Sequence, residues 1–333
     1  LKPISVLKQL QGLKLFGRTG WRKALIVIQF SLSLFLIISV KIASNQLQMM
    51  TSADYGFDPD NIISIKIGDT SYDNLKTELG NYPEFTSISG ASHSPSMGRR
   101  STEDFFSEKD SLPVSINHFA VDRNYLENMK IDFIAGNDFP ENTSTDHEQF
   151  IIINETAVEK LGYSDPHSSL GTVIMDEDST TLQVIGVIKD YNHEPMVSQI
   201  APMGLRYIPE DLNQLQVRYL GEREKATNLI EAAWIKVNPE KKIDYQDMTD
   251  EIAMFYDFMF GDLVAITSTI TILAIVIACL GLLGMAIYTA ETREKEVSIR
   301  KVMGASERSL VLLLSGGYFK LLTIAAIVSL PLT

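Results

Sequence analysis

An uncharged run of 28 residues, 263–290, constrains the fold more than any other feature of the sequence. It is ample for a helix that crosses the roughly 30 Å hydrocarbon core of a bilayer. A shorter uncharged run, 24–40, gives a helix of about 26 Å that residues 42 and 43 can lengthen. A signal peptide is the alternative for this run, but its basic lead-in of 23 residues is long for one. The sequence therefore predicts a membrane protein with transmembrane α-helices at 24–43 and 263–290.

The run 263–290 also carries small residues at steps of three and four. They are Ala274, Ala278, Gly281 and Gly284. Small side chains let membrane helices approach each other closely, although glycine is common in such helices without that role. The spacing is an indication that this helix packs in a bundle.

Charge is distributed unevenly along the chain, and its distribution predicts the topology. Residues 1–23 carry six basic side chains and no acidic one, whereas residues 41–262 carry 17 Lys or Arg against 38 Asp or Glu. Because Lys and Arg next to spans favour the cytoplasmic side, residues 1–23 and 291–308 are predicted to be cytoplasmic and residues 44–262 extracytoplasmic. The acidic block also argues against nucleic acid as a partner, since phosphate contacts need basic groups. The single cysteine, Cys279, excludes an intrachain disulfide.

A third apolar stretch, 309–333, is interrupted only by Lys320. If Lys320 lies at the membrane interface, the residues after it give a helix of about 20 Å, which is shorter than the hydrocarbon core. We therefore expect residues 309–333 to be the start of a third span. The alternative is a full span from Leu310 with Lys320 inside the membrane, which would need an acidic partner.

The extracytoplasmic block contains two predicted strand–helix–strand units. Alternating isoleucines over 62–67 predict a strand, followed by a helix at 72–79 and a strand at 85–89. The second unit comprises a strand at 215–219, a helix at 226–237 and a strand at 242–246. Since such units pair into one sheet, we predict an α+β domain, a split βαβ/βαβ sandwich formed by residues 57–98 and 210–250.

Residues 99–209 are predicted to form an inserted, strand-rich subdomain. The predicted strands are 114–121, 149–153, 172–175 and 181–189. Asn154 is predicted to cap a helix over 155–161, which Gly162 ends.

A charged segment, residues 291–308, separates the second and third apolar runs. In a continuous helix, four of its residues would share one side: Arg293, Val297, Arg300 and Gly304. Two further spacings, Glu291 with Lys295 and Glu296 with Arg300, suit i,i+4 ion pairs in the favourable acid-first order. The segment is thus predicted to be a stiff, charged rod with a small notch at its glycine.

The order of residues in this segment resembles the cytoplasmic segment of FtsX-like permeases, the membrane subunits of MacB-type ABC transporters. The matching positions are Arg293, Lys295, Glu296, Val297, Ile299, Arg300, Lys301, Gly304 and Ala305. Residues 150–162 and 184–190 resemble MacB-type periplasmic domains more loosely. Residues 1–8 resemble the junction that follows the first half of long permeases of this family, which implies a second permease half.

The resemblance implies a function in which the chain changes shape but does not hydrolyse ATP. In this family the segment touches a separate ATPase subunit, which binds the ATP and passes its movement to the extracytoplasmic domain for export or mechanotransmission. The residues implied to contact the ATPase are Arg293, Lys295, Glu296, Val297, Arg300, Lys301 and Gly304. Residues 263–333 would then belong to an FtsX-like permease domain.

The resemblance also implies a location and further partners. The expected location is the bacterial cytoplasmic (inner) membrane, crossed several times. Expected partners besides the ATPase are membrane lipids, a second permease half or copy, and a periplasmic or extracellular protein.

The sequence lacks the motifs of an enzyme. It has no G-x-x-x-x-G-K-[ST] loop and no G-x-S-x-G elbow, and its five histidines are scattered. We therefore predict no catalytic site, no cofactor and no metal, which disfavours a membrane-anchored enzyme. The remaining alternative is an extracytoplasmic sensor, which would carry a signalling module after the second span, where this chain returns to apolar sequence.

Overall fold

The computed structural model describes residues 18–68, 70–98, 101–107, 112–141, 148–176 and 179–332. The predictions made for residues 1–17 lie outside these ranges. The chain divides into two compact units. The helical unit comprises the described residues up to Met49 and those from Asp257 onward, and the αβ unit is Met50–Tyr256.

The αβ unit contains strands and short helices, and longer helices lie before and after it in the chain. The helices are α1 (Arg18–Thr51), α2 (Tyr72–Leu79), α3 (Tyr125–Met129), α4 (Glu155–Lys160), α5 (Pro166–Ser169), α6 (Arg223–Val237), α7 (Met248–Thr292), α8 (Glu294–Val302) and α9 (Glu307–Ser329). The strands are β1 (Ile62–Lys66), β2 (Phe85–Ala91), β3 (Ser101–Ser107), β4 (Val114–Ala120), β5 (Phe133–Gly136), β6 (Phe150–Asn154), β7 (Val173–Met175), β8 (Thr181–Ile188), β9 (Met203–Arg206), β10 (Gln214–Tyr219) and β11 (Asp244–Asp247). Short 3₁₀ turns follow β9 at Pro209–Asp211 and α9 at Leu330–Leu332.

Three helices of the helical unit are long and apolar enough to cross a membrane: Gly20–Thr51, Met248–Thr292 and Glu307–Leu332. Small and hydroxyl-bearing residues lie at their contacts. The Ser33 hydroxyl donates to the Ala274 carbonyl at 3.2 Å, and the Ser31 hydroxyl donates to the Ala325 carbonyl at 3.2 Å. Ala278 is 2 % exposed. Close packing through small residues is typical of membrane helix bundles, and it agrees with the predicted role of Ala274 and Ala278.

The predicted split βαβ arrangement forms a four-stranded sheet in the order β11-β1-β10-β2. In this order each strand of one unit lies beside a strand of the other unit. All three neighbouring pairs are antiparallel. One face of this sheet packs against α2 and α6 in an apolar core that includes Ile63, Ile65, Leu215, Val217 and Trp234. The alternating residues of the two predicted units therefore face the same core, and the predicted fold class is confirmed.

The inserted strands form a second sheet, in the order β5-β8-β6-β9-β4-β3-β7. An additional pairing between β7 and β8 closes six of these strands into a barrel. The strand β8 makes closure possible because Thr181–Gln183 pair with β7 while Gly186–Ile188 pair with β5. Phe105, Ile151 and Leu182 are among the side chains that fill the core.

The sequence missed three strands of this barrel sheet, and each has a physical reason. β3 contains Ser, Thr, Glu and Asp in its first four positions, so it lacks an alternating apolar pattern. β5 and β9 have only four residues each, which is too short for a clear period. The short helices α3 and α5 were also missed.

The predicted cap at Asn154 is confirmed and does more than end a strand. Its Oδ1 accepts hydrogen bonds from the backbone N–H of Ala157 at 3.0 Å and of Met203 at 2.9 Å. Its Nδ2 donates to Asp190 Oδ1 at 2.7 Å. One buried amide therefore joins the start of α4, the strand β9 and the segment after β8.

Arg206, on β9, forms buried ion pairs within the barrel sheet. It is 4 % exposed and pairs with Glu103 at 2.5 Å, Glu148 at 2.6 Å and Asp176 at 3.3 Å. A buried guanidinium with three carboxylates joins strands that are distant in sequence.

Candidate functional site

The charged segment 291–308 comprises the last turn of α7, the helix α8, a short connection and the start of α9. The α7 helix ends at Thr292, and Arg293 has non-helical dihedrals, φ −109° and ψ 12°. Acidic residues, Glu294 and Glu296, lie in the first turn of α8, and basic residues, Arg300 and Lys301, lie in its last turn. This order stabilises the helix because each charge opposes the nearby end of the helix dipole.

Gly304 ends α8 through its backbone conformation. Its φ is +91°, a region that disfavours residues with a β-carbon. The N–H of Gly304 donates to the Lys301 carbonyl at 3.1 Å, and the N–H of Ala305 donates to the Arg300 carbonyl at 3.0 Å. These two bonds form a Schellman motif, which satisfies carbonyls that the helix leaves unpaired.

The prediction of one continuous helical face is wrong. Arg293 precedes α8 and Gly304 follows it, so these two residues lie at its ends and do not share a helical side with Val297 and Arg300. The sequence spacing could not reveal the break at Arg293, because good helix-forming residues lie on both sides of it. The glycine at position 304 is required by the positive φ of the turn that ends α8. This requirement accounts for the glycine without the predicted notch for a partner.

The structure forms one of the two predicted ion pairs. Arg300 Nη2 lies 2.8 Å from Glu296 Oε1, and both side chains are about half exposed. Glu291 belongs to α7 and Lys295 to α8, and among the described residues these two make no ion pair. Exposed pairs contribute little to stability, so the charges of α8 remain available to a partner.

An apolar row on α8 was missed by the sequence analysis as a functional feature. Ile299, Val302 and Met303 are 61 %, 90 % and 81 % exposed. At spacings of three and four residues Ile299, Val302 and Met303, the residue that follows α8, lie on one side, next to Arg300. Exposed apolar residues that cluster in this way mark interaction sites more often than isolated ones do. The apolar spacing within a charged helix was the signal that could have found them.

The side chains of this segment suit contact with another protein. It contains basic, acidic and aliphatic side chains, without a cysteine or a histidine. Among the residues that the structure describes, no group of three or more His, Cys, Asp and Glu side chains could hold a metal ion.

The comparisons with known proteins identify the class to which the chain belongs. A family model, described as the MacB-like periplasmic core domain, matches residues 24–253. The chain therefore belongs to the family of proteins with a MacB-like periplasmic core domain, which is found in MacB- and YknZ-type ABC transporter permeases. A search of curated proteins found no match.

Three solved structures are similar to parts of the chain at low identity. The periplasmic region of MacB from Actinobacillus actinomycetemcomitans is 14 % identical, with a TM-score of 0.44, and the match covers 60 % of this chain and 93 % of that one. The extracellular domain of the noncanonic ABC-type transporter YknZ from Gram-positive bacteria is 14 % identical, with a TM-score of 0.41 and coverages of 56 % and 98 %. A domain of a putative permease protein from Porphyromonas gingivalis is 16 % identical, with a TM-score of 0.41 and coverages of 57 % and 90 %.

Membership of the family confirms the resemblance on which the sequence analysis relied. It supports a permease-type role in an ABC transporter whose ATPase is a partner subunit. The family is generally non-catalytic, and it is membrane-associated with a periplasmic domain.

Proposed function

We propose that the chain is a transmembrane permease subunit that passes ATP-driven movement from a separate ATPase to its extracytoplasmic domain. The segment 291–308 lies in the cytoplasm and docks on the ATPase. Residues 44–262 lie outside, with a porter-like part formed by 57–98 and 210–250 and an inserted part at 99–209. The membrane is the bacterial cytoplasmic membrane, and the complex contains a second permease half or copy. An outer protein receives the movement, for export or for mechanotransmission.

The observation that carries this proposal is the short helix α8 between two candidate spans. Its exposed row of Ile299, Val302 and Met303 gives an apolar contact, and Arg300 beside it gives orientation. An apolar centre with a charged rim is the usual composition of a protein interface. A small helix of this kind can move as one body when its partner closes.

The path of movement in the proposal is α7. This helix runs from Met248 to Thr292 without a break, and it ends where α8 begins. A helix of 45 residues carries a displacement at one end along its length because its backbone bonds are local and regular.

The docking is tested by co-purification and by ATP hydrolysis. The full chain is tagged and isolated in mild detergent, and the ABC ATPase that it retains is reconstituted with it in liposomes. We expect Val302→Asp and Arg300→Glu to reduce ATPase retention and stimulated hydrolysis by about tenfold or more, because each alters the centre or the rim of the contact. Lys41→Glu makes the same change of charge near the other end of a span and serves as the control.

Two results would contradict the docking. One is a wild-type chain that retains no ABC ATPase, and the other is retention that both α8 variants leave unchanged. A normal melting curve for the variants excludes unfolding as the cause of a loss.

The topology is tested separately with single cysteines. In a Cys279→Ser background, Ser298→Cys in α8 and Asn228→Cys in α6 are labelled in intact cells with a membrane-impermeant maleimide. We expect Asn228→Cys to react from outside the cytoplasmic membrane, and Ser298→Cys to react only after the cells are opened. Labelling of both positions from the same side would overturn the proposed topology.

A further inference from the structure

The helix α9 carries a charge in the middle of an apolar candidate span. The span Glu307–Leu332 has 26 residues, and between positions 309 and 332 Lys320 is the only charged one. Lys320 lies about 15 Å along the helix from Leu310, which is half of a typical hydrocarbon core. Its side chain is exposed, and within the described part of the chain it makes no ion pair.

Lys320 points away from the neighbours of α9 within the helical unit. Successive residues of a helix are rotated by about 100°, which places Gly316, Lys320, Ile324 and Ile327 on one side. These four residues are exposed. The side that packs is a different one, on which Ala325 and Ser329 are buried. Tyr318 belongs to the packed side, where its hydroxyl donates to the Met285 carbonyl at 2.8 Å.

A lysine at this depth requires an acidic neighbour. A charged side chain inside a bilayer is rare, and it normally faces a partner of opposite charge. The apolar stretches of the two other candidate spans, residues 20–51 and 263–290, contain neither Asp nor Glu, and the acidic residues of Met248–Thr292 lie only at its two ends. A second copy of the chain would add no carboxylate within these apolar stretches either. The counter-charge therefore comes from a different helix.

Gly316 adds a steric reason for a helix at this place. A β-carbon built on Gly316 would meet no atom within 4 Å. An exposed glycine one turn before the lysine lets another backbone approach closely, as small residues do at membrane helix contacts. Charge and shape thus indicate the same kind of occupant.

We propose that the α9 face formed by Gly316, Lys320, Ile324 and Ile327 binds a further transmembrane helix that carries an aspartate or glutamate at the depth of Lys320. The carboxylate pairs with the Lys320 ammonium, and the helix backbone lies against Gly316. This inference rests on the proposed function, in which residues 291–308 are cytoplasmic, and on the alternative of a full span from Leu310 that places Lys320 inside the membrane.

The test uses the full chain in neutral phosphatidylcholine vesicles and a designed probe helix. The chain carries a donor dye on one introduced cysteine, Ser298→Cys, in the Cys279→Ser background. The probe is a leucine–alanine helix of about 23 residues with one central aspartate and an acceptor dye, and its matched control has leucine in place of the aspartate. Energy transfer measures association. We expect the aspartate probe to bind at least about tenfold more tightly than the leucine probe.

The variants assign that binding to the face. Lys320→Met should remove the preference for the aspartate probe, and Gly316→Leu should weaken its binding by several-fold. Lys41→Met, which removes a lysine from the end of another span, should leave the binding unchanged. A wild-type chain without preference for the aspartate probe, or a Lys320→Met chain that keeps it, would overturn the inference.

A second measurement separates this inference from the proposed function. Quenching of a dye on Leu313→Cys by brominated lipids shows whether α9 lies in the bilayer. If it does not, the proposed topology fails as well. If α9 is inserted, Lys320→Met is compared with wild type for binding of anionic lipids and of the aspartate probe. A substitution that weakens the binding of anionic lipids but leaves that of the aspartate probe unchanged shows that the lysine binds lipid headgroups, and only this inference then fails.

Discussion

The two units of the molecule differ in the balance of apolar and polar side chains that they bury. In the αβ unit the buried set is dominated by large apolar residues, such as Ile63, Phe105 and Ile230, each fully buried. In the helical unit large apolar residues such as Ile272 and Leu280 are exposed, and hydroxyl-bearing ones such as Ser33, Thr271 and Ser329 are buried.

This difference indicates a different solvent for each unit. In water, burial of apolar surface drives packing, so the αβ unit places its isoleucines inside. In lipid, apolar side chains gain nothing by burial, and packing depends on small residues and interhelical hydrogen bonds. The arrangement of the helical unit is therefore the one expected of helices that face lipid.

The largest effect expected from this comparison of the two units is at Arg206, in the αβ unit. Replacement with alanine leaves three carboxylates around a buried site without their cation, so we expect Arg206→Ala to lower the free energy of unfolding of the αβ unit by about 3–5 kcal/mol. Pulse proteolysis of the full chain in detergent across a urea series measures this change.

The matched control for Arg206 is an exposed pair. Lys66 lies 2.9 Å from Asp244, and both side chains are mostly exposed. We expect Lys66→Ala to change the free energy of unfolding by less than about 1 kcal/mol. Equal effects of the two substitutions would show that burial does not set the value of these charges.

One isoleucine in each unit gives a direct contrast. Ile230 on α6 is 0 % exposed and Ile272 on α7 is 62 % exposed. We expect Ile230→Ala to cost about 2–5 kcal/mol, because it leaves a cavity in a packed core. Trp234 lies in the same core, and its fluorescence in a Trp21→Phe background reports the unfolding.

The partner substitution, Ile272→Ala, should change stability by less than about 0.5 kcal/mol, because its side chain lies against lipid or detergent. The measurement is the urea midpoint of the helical unit, followed through Trp21 in a Trp234→Phe background. A large loss from Ile272→Ala would contradict the assignment of lipid to that surface.

The smallest expected effect concerns a partly buried carboxyl. Burial raises the pKa of Asp138 to about 6, and nearby Asp122 and Glu127 act in the same direction while Arg123 opposes them. Because this pKa is above that of the unfolded chain, the folded state binds the proton more tightly, and stability rises as the pH falls from about 7 to about 4. Asp138→Asn should therefore raise the melting temperature at pH 7.5.

The difference between wild type and Asp138→Asn should shrink as the pH falls below about 6 and vanish below about pH 3, where the carboxyl is neutral in both the folded and the unfolded state. Burial lowers the pKa of His193, which destabilises the folded state on acidification, but this contribution is common to both proteins and cancels in the difference. A difference that is independent of pH would show that the carboxyl does not titrate as described.

Much of the αβ unit could be predicted from local pattern. The alternating isoleucines of β1, the helical spacing of α6 and the cap at Asn154 are each encoded within a few residues, and the structure forms all three. At the candidate site the Glu296–Arg300 pair was equally local. The ATPase contact proposed for Arg293, Lys295 and the other segment residues remains a prediction.

The features that the sequence did not disclose depend on distant partners. β3 has a polar sequence, and it is a strand because β4 and β7 pair with it on its two sides. At the site, the break at Arg293 and the exposure of Val302 depend on where neighbouring helices end. The spacing of residues in the sequence does not predict these ends.

The sequence by itself determined which segments are apolar, where the charges lie and which family the chain resembles, because these are properties of composition and order. Only the tertiary structure decided that β7 pairs with β8 to close a barrel, that Arg206 joins three carboxylates, and that Lys320 lies on an exposed side of α9. Contacts between residues far apart in the chain carry no local signal, and they exist only once the whole chain has folded.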